Sequence, residues 1–169
     1  MSKMKIPQHG ENESLVSPVE QFAPGFFALV AARLSERIVE EGAEIAAASG
    51  IVTPARCMST IVALTSGPKG VSELGRMMGV SHVAAMKNVR SLSELGFVQT
   101  GIDPSDARRK PIHLSNAGRT EAAQVIEFVQ ALQAVFREVD REIGESAYDS
   151  LLRFEEALDR QSLSSRISI

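Results

Sequence analysis

The chain has 169 residues, 44% of them hydrophobic, and carries 18 Lys and Arg against 21 Asp and Glu for a net charge of −3. That length suits one domain with an extension and a real core, and no apolar run approaches the ~20 residues of a membrane span. A single Cys excludes an internal disulfide and fits a reducing compartment. The polar start MSKMKIPQHGENES lacks the apolar core of a signal peptide, so a cytoplasmic protein is expected.

Residues 1–20 mix polar side chains with Pro7, Gly10 and Pro18 and show no period, which predicts a mobile arm. Residues 21–52 are expected to form a dimerisation segment built on a helix from Phe22 to Ala48, with Phe27, Val30, Ala31, Leu34, Ile38 and Ile45 on one stripe. Thr53 and Pro54 read as N-cap and first residue of a second helix, about 54–66, burying Cys57, Met58, Ile61, Val62 and Leu64. Gly67-Pro68-Lys69-Gly70 is a turn; it lacks the length and the Lys-Ser/Thr ending of a phosphate-cradling loop.

Residues 53–115 read as one DNA-binding lobe. Ser72 is expected to cap a short helix over 72–79, Gly79 to turn the chain, and Ser81 to cap a second helix that runs to about Leu95 and ends at Gly96. Two short helices joined by a Gly turn form the unit whose second helix enters a DNA major groove. Ala85, Val89 and Leu92 form its inward stripe, while Val83, Ala84, Lys87, Arg90 and Ser91 face outward. Strands at Phe97–Thr100 and Ile112–Leu114 flank GIDPSDARRKP, a loop rich in turn formers that carries Arg108, Arg109 and Lys110 in a row. Val71 is a candidate for a third strand. Such an arm beside a reading helix is a wing, suited to backbone or minor-groove contact.

Residues 116–161 are expected to form two dimerisation helices, followed by a frayed tail over 162–169. Ser115 or Asn116 caps a long helix in which Ala122, Val125, Ile126, Val129, Leu132, Phe136, Val139 and Ile143 recur in steps of three and four. Gly144 ends it, and a last helix from Glu145 to Arg160 places Tyr148, Leu151, Leu152, Glu155 and Leu158 on one side. These stripes exceed what one small lobe can cover, and leaving apolar area wet at about 25 cal/mol per Å² favours a homodimer.

Charge is unevenly spread: residues 67–119 carry +4 and the remainder −7. A basic face on an acidic body still suits DNA, with strong salt sensitivity. Catalysis has little support. His9, His82 and His113 are scattered, no spacing supplies metal ligands, and Asp103 and Asp106 share a turn with cations, so neither metal nor cofactor is expected.

The order of two helices, Leu92-Ser-Glu-Leu-Gly96-Phe97-Val98, Asp106-Ala-Arg108 and Leu114-Ser115-Asn-Ala-Gly118 resembles the MarR family of winged-helix regulators, whose wing pattern is D-x-R, five residues, then L-T-x-x-G. Ser115 replaces the Thr, and Gln99-Thr100 and Met86-Lys87 depart from residues common in the family. The resemblance implies a mainly α fold with a small β-wing, dimerising through its terminal helices and binding a pseudo-palindromic operator, most simply as a repressor. It implies DNA contact by Ser81, His82, Ala84, Lys87, Asn88 and Arg90, with Arg108, Arg109 and Lys110 on the wing and Asp106 bracing it. It also implies a small aromatic or phenolic effector in a cleft, for which Phe26, Phe27, Val30, Met58, Ile61 and Met77 are candidates. Two alternatives stay open: a winged-helix module that binds a protein, and a redox sensor using Cys57, although the family's peroxide-sensing Cys lies near the first helix.

Overall fold

The computed structural model describes residues 22–101 and 110–167, which fall into two compact units, Met1–Gly42 and Ala43–Ile169. The N-terminal arm, Asp106, Arg108, Arg109 and the last two residues lie outside the described residues. A 3₁₀ turn at Ala23–Phe26, with Pro24 in its first turn, leads into helix α1, Phe27–Ala48. In the first unit its apolar side chains Leu29, Val30, Leu34 and Ile38 are exposed.

The second unit begins with the last turns of α1 and continues through α2 (Ala55–Ala63) and a 3₁₀ turn at Leu64–Ser66. Next come α3 (Val71–Met77), α4 (His82–Glu94), β1 (Val98–Thr100) and β2 (Ile112–Leu114). The chain ends with α5 (Asn116–Ile143), α6 (Ala147–Arg160) and the short α7 (Leu163–Arg166), the last a turn of helix in the stretch expected to fray. Gly144, at φ +78°, closes α5 as expected.

One core organises this unit. Cys57, Ile61, Leu74, Leu92 and Val125 are fully enclosed, and Phe97, Val98, Ile112, Leu114, Ala122 and Phe128 complete the cluster. Apolar residues three and four apart on α2, α4 and α5 meet there because each helix turns one stripe inward. The two strands pair antiparallel with Val98 opposite Leu114 and Thr100 opposite Ile112. Val71 is not a strand residue: it opens α3, and Lys69 makes the bridge to the sheet through both backbone bonds with Ile112 (3.0 and 2.9 Å).

Two expected caps are replaced. Gly70 precedes α3 with no side-chain cap, because Ser72 lies inside the helix. Pro54 is the N-cap of α2; Thr53 is buried with its hydroxyl unbonded, and its amide donates instead to Glu121. Glu121, 5% exposed, accepts from Val52 N (2.8 Å) and Thr53 N (2.7 Å) at one oxygen, so α5 holds the entry to α2.

Half of α5 stands outside this core. Gly118, Glu121, Ala122, Val125 and Phe128 are buried, whereas Val129, Val135, Phe136, Val139 and Ile143 are exposed. On α6, Tyr148, Leu151 and Leu152 are exposed as well. No helix among the described residues is long and apolar enough to cross a membrane.

Candidate nucleic-acid interface

The junction between α3 and α4 is made by two glycines with different duties. Gly79 takes φ +64°, the left-handed conformation that reverses the chain at little steric cost. Gly75 lets the helices close on each other: a Cβ there would lie 3.1 Å from the Val80 carbonyl oxygen and 3.6 Å from the Ala85 methyl. Ser81 then caps α4, accepting from Ala84 N at 3.2 Å, and Gly96 ends it at φ +73°. These glycines and the caps hold α4 as the second helix of a helix-turn-helix.

The outward side of α4 presents Ser81, His82, Val83, Met86, Lys87 and Arg90, all exposed, with Ala84 half-buried among them. Lys87 makes no hydrogen bond or ion pair among the described residues. Arg90 Nε lies 2.9 Å from Glu94 Oε1 with both side chains well exposed, a surface pair worth at most about 1 kcal/mol and readily exchanged for a phosphate. His82 Nδ1 sits 3.2 Å from Ser72 Oγ, which is where the serine expected to cap α3 is used.

Asn88 is the exception and corrects the sequence reading. It is 8% exposed and faces the interior, donating from Nδ2 to Thr60 Oγ1 at 3.3 Å. Thr60 in turn donates to Met78 Sδ at 3.2 Å, and the Cys57 thiol lies 3.8 Å from both oxygens of Asn88. This buried polar chain joins α2, α3 and α4 and withdraws Asn88 from any groove. Its position three residues after Ala85 and four before Leu92 places it on the inward stripe, away from the DNA contact that the resemblance implied.

Cys57 is fully buried, and burial pushes its thiol pKa up against the smaller lowering effects of Arg56 and Ser91. A protonated, enclosed thiol reacts slowly, which weighs against redox sensing.

The wing is anchored at both strands. Gly101 N extends the ladder to Pro111 O (2.8 Å), and Val98, Ile112 and Leu114 are buried while Gln99 and Thr100 are exposed. Lys110 is exposed at the foot of β2; its neighbours Arg108 and Arg109, with Asp106, lie outside the described residues. Behind the sheet, Ser115 caps α5 through Gly118 N (3.0 Å) and donates to Gly96 O (2.6 Å).

Of the six residues expected to line a ligand cleft, three lie in each of the two units. Ile61 and Met58 belong to the core, with Ile61 wholly enclosed, and Met77 is exposed on α3. Phe26, Phe27 and Val30 belong to the first unit and are exposed. A cavity of about 490 Å³ lined by Leu64, Pro68, His113, Arg119 and Ile126 contains none of the six. Among the described residues no cluster of His, Cys, Asp and Glu is able to hold a metal ion.

No protein-family model and no curated protein matches this sequence; its likenesses are to solved structures. The transcriptional repressor CouR bound to a 23-mer DNA duplex aligns with a TM-score of 0.65 at 17% identity, over 83% of this chain and 96% of that one. A MarR family transcription regulator aligns at 0.63 and 15% identity, over 85% of this chain and 99% of the other. CouR from Rhodococcus jostii RHA1 bound to p-coumaroyl-CoA aligns at 0.54 and 19% identity, over 84% and 94%. The fold thus agrees with these proteins along most of their length. The chain has the winged helix-turn-helix fold of the MarR-type transcription regulators.

Proposed function

We propose that this chain is a MarR-like transcriptional regulator, a repressor, that binds a pseudo-palindromic operator as a homodimer. The observation that carries the reading is the outward face of α4, where Ser81, Ala84, Lys87 and Arg90 are small or basic and no acid lies between Ser81 and Arg90, set beside a wing whose loop carries Arg108, Arg109 and Lys110. A helix with Ser81, Ala84 and Lys87 on its exposed side approaches base edges closely, and Arg90 takes a flanking phosphate. The wing residues reach backbone or minor groove, with Asp106 orienting them.

Dimerisation is supported by the exposed apolar side chains of α1, α5 and α6, among them Leu34, Phe136, Val139 and Leu151. Exposed apolar patches of this kind mark association surfaces. Two copies place two reading helices on one side of a duplex, matching the two-fold symmetry of a palindrome. CouR is a repressor that has been captured with DNA and with p-coumaroyl-CoA; by analogy, a small aromatic effector releases this protein from its site.

The test is selection of bound duplexes from random sequence, followed by binding across salt concentrations. A palindrome and a steep salt dependence are expected. Arg108→Ala should weaken binding by ~1–3 kcal/mol if it reads the minor groove, or lower the salt slope by about one if it touches phosphate only. Salt-insensitive association with a protein, and no selected duplex, would assign the face to a protein partner instead.

A further inference from the structure

We infer that the cleft between the start of the helix-turn-helix and the foot of the wing is a phosphate clamp, holding one DNA backbone phosphodiester between the two reading elements. The inference rests on the DNA-binding reading above and adds residues, Ser72 and Arg76, that neither the wing nor the outward face of α4 includes. The cleft measures about 490 Å³ and is lined by polar groups from three places in the chain: Ser72, Glu73 and Arg76 of α3, His82 of α4, and Lys110 beside β2.

Its charge is positive. Arg76 and Lys110 are exposed and make no ion pair among the described residues. The one acid on the lining, Glu73, is engaged by Lys69 at 3.7 Å. That pairing partly offsets its charge, and Arg76 with Lys110 leaves the lining net positive. His82 is held at Nδ1 by Ser72 Oγ (3.2 Å). With the serine hydroxyl donating, the proton sits on Nε2, which is left to donate to an oxyanion.

Position supplies the second argument. A protein that puts a helix in the major groove and a wing toward the minor groove straddles the strand between them, and that strand carries the phosphate. The cleft lies where those two elements meet: His82 opens the reading helix, and Lys110 is the last basic residue before β2. Arg suits a phosphate because its donors match two oxygens at once.

The experiment uses the duplex recovered by selection, with Arg76→Ala and Lys110→Ala variants titrated at several salt concentrations. Each should weaken binding about five- to tenfold and lower the salt slope by about one. A set of duplexes, each with one neutral methylphosphonate, should include a position that weakens the wild type but causes no further loss in Arg76→Ala. Both side chains are exposed, so unfolding is checked simply by matched thermal melts. Normal wild-type binding with unchanged slopes in both variants, or additive losses at every methylphosphonate, overturns the clamp alone. Absence of wild-type duplex binding overturns the DNA reading and the clamp with it.

Discussion

Gly118→Ala sets local helix preference against packing and gives them opposite signs. On propensity alone alanine is better than glycine inside a helix by about 1 kcal/mol. At the head of α5, however, a Cβ would fall 2.7 Å from the Phe97 carbonyl carbon and overlap its oxygen. The obstacle is backbone, so no side-chain rotation relieves it. The helix must back away from β1, stretching the Ser115 bonds to Phe97 O (2.9 Å) and Gly96 O (2.6 Å). Two such bonds contribute roughly 1 kcal/mol each, and residual overpacking costs about 1–3 kcal/mol more. Subtracting the propensity gain leaves a net loss of about 2–4 kcal/mol, or roughly 4–16 °C in Tm for a chain of this size. Urea unfolding followed by circular dichroism, at one fixed protein concentration, measures it. A variant as stable as the parent, or more so, would refute the packing argument and leave helix propensity as the governing effect.

Glu121→Ala should cost about 2–3 kcal/mol, because two amides lose their acceptor in a closed site; hydrogen exchange at Val52 and Thr53 should quicken, and unchanged protection would contradict the role. Asn88→Ala should lower stability by about 1–2 kcal/mol while leaving the affinity of the folded protein for duplex within a few-fold; a large affinity loss at unchanged stability would return Asn88 to the groove. The Cys57 thiol holds its proton longer folded than unfolded, so its contribution is full below the ordinary thiol range and lost as pH rises through that range toward the native value. Denaturation midpoints measured against pH should therefore sag on the alkaline side for the parent and less for Cys57→Ala, and parallel curves would count against it. Phe136→Asp places a charge on the exposed apolar stripe of α5 and should shift the sedimentation profile toward single chains; an unaltered profile removes this stripe from the proposed interface.

What could be read in the sequence was what acts over one or two turns. Ser81 and Ser115 cap helices by reaching an amide three residues on, and Gly79, Gly96 and Gly144 supply left-handed turns at positions that composition alone marks. Stripes repeating every three to four residues located α4 and α5 because each buries one face in a shared core. What escaped depends on partners distant in the chain. Glu121 looks like any helical acid until the loop 69 residues earlier donates to it. Thr53 is not the cap because the helix starts one residue later, with Pro54 as its N-cap, and Ser72 is drawn to His82 ten residues away. Asn88 differs for another reason: periodicity puts it inward, but it takes Thr60 and Cys57, both on another helix, to satisfy a buried amide.

The two long-range attachments at the head of α5 carry a mechanical consequence. Ser115 and Gly118 fasten it to the end of α4 and the start of the wing, and Glu121 fastens it to the entry of α2. The reading helix and the wing therefore share one rigid mount. From that mount the helix runs 28 residues, about 42 Å at 1.5 Å per residue, and its far half carries the exposed apolar side chains. In the proposed dimer that far half is the gripped end and the reading elements are the free end of a lever. A tilt of about 10° over that length moves the free end by about 7 Å, about a fifth of the ~34 Å between successive major grooves on one face of a duplex. In the proposed dimer, a change in how the two copies grip each other would shift both reading helices relative to the duplex. On that proposal, control of binding would belong to the dimer contact, with no need for the DNA-facing residues themselves to rearrange.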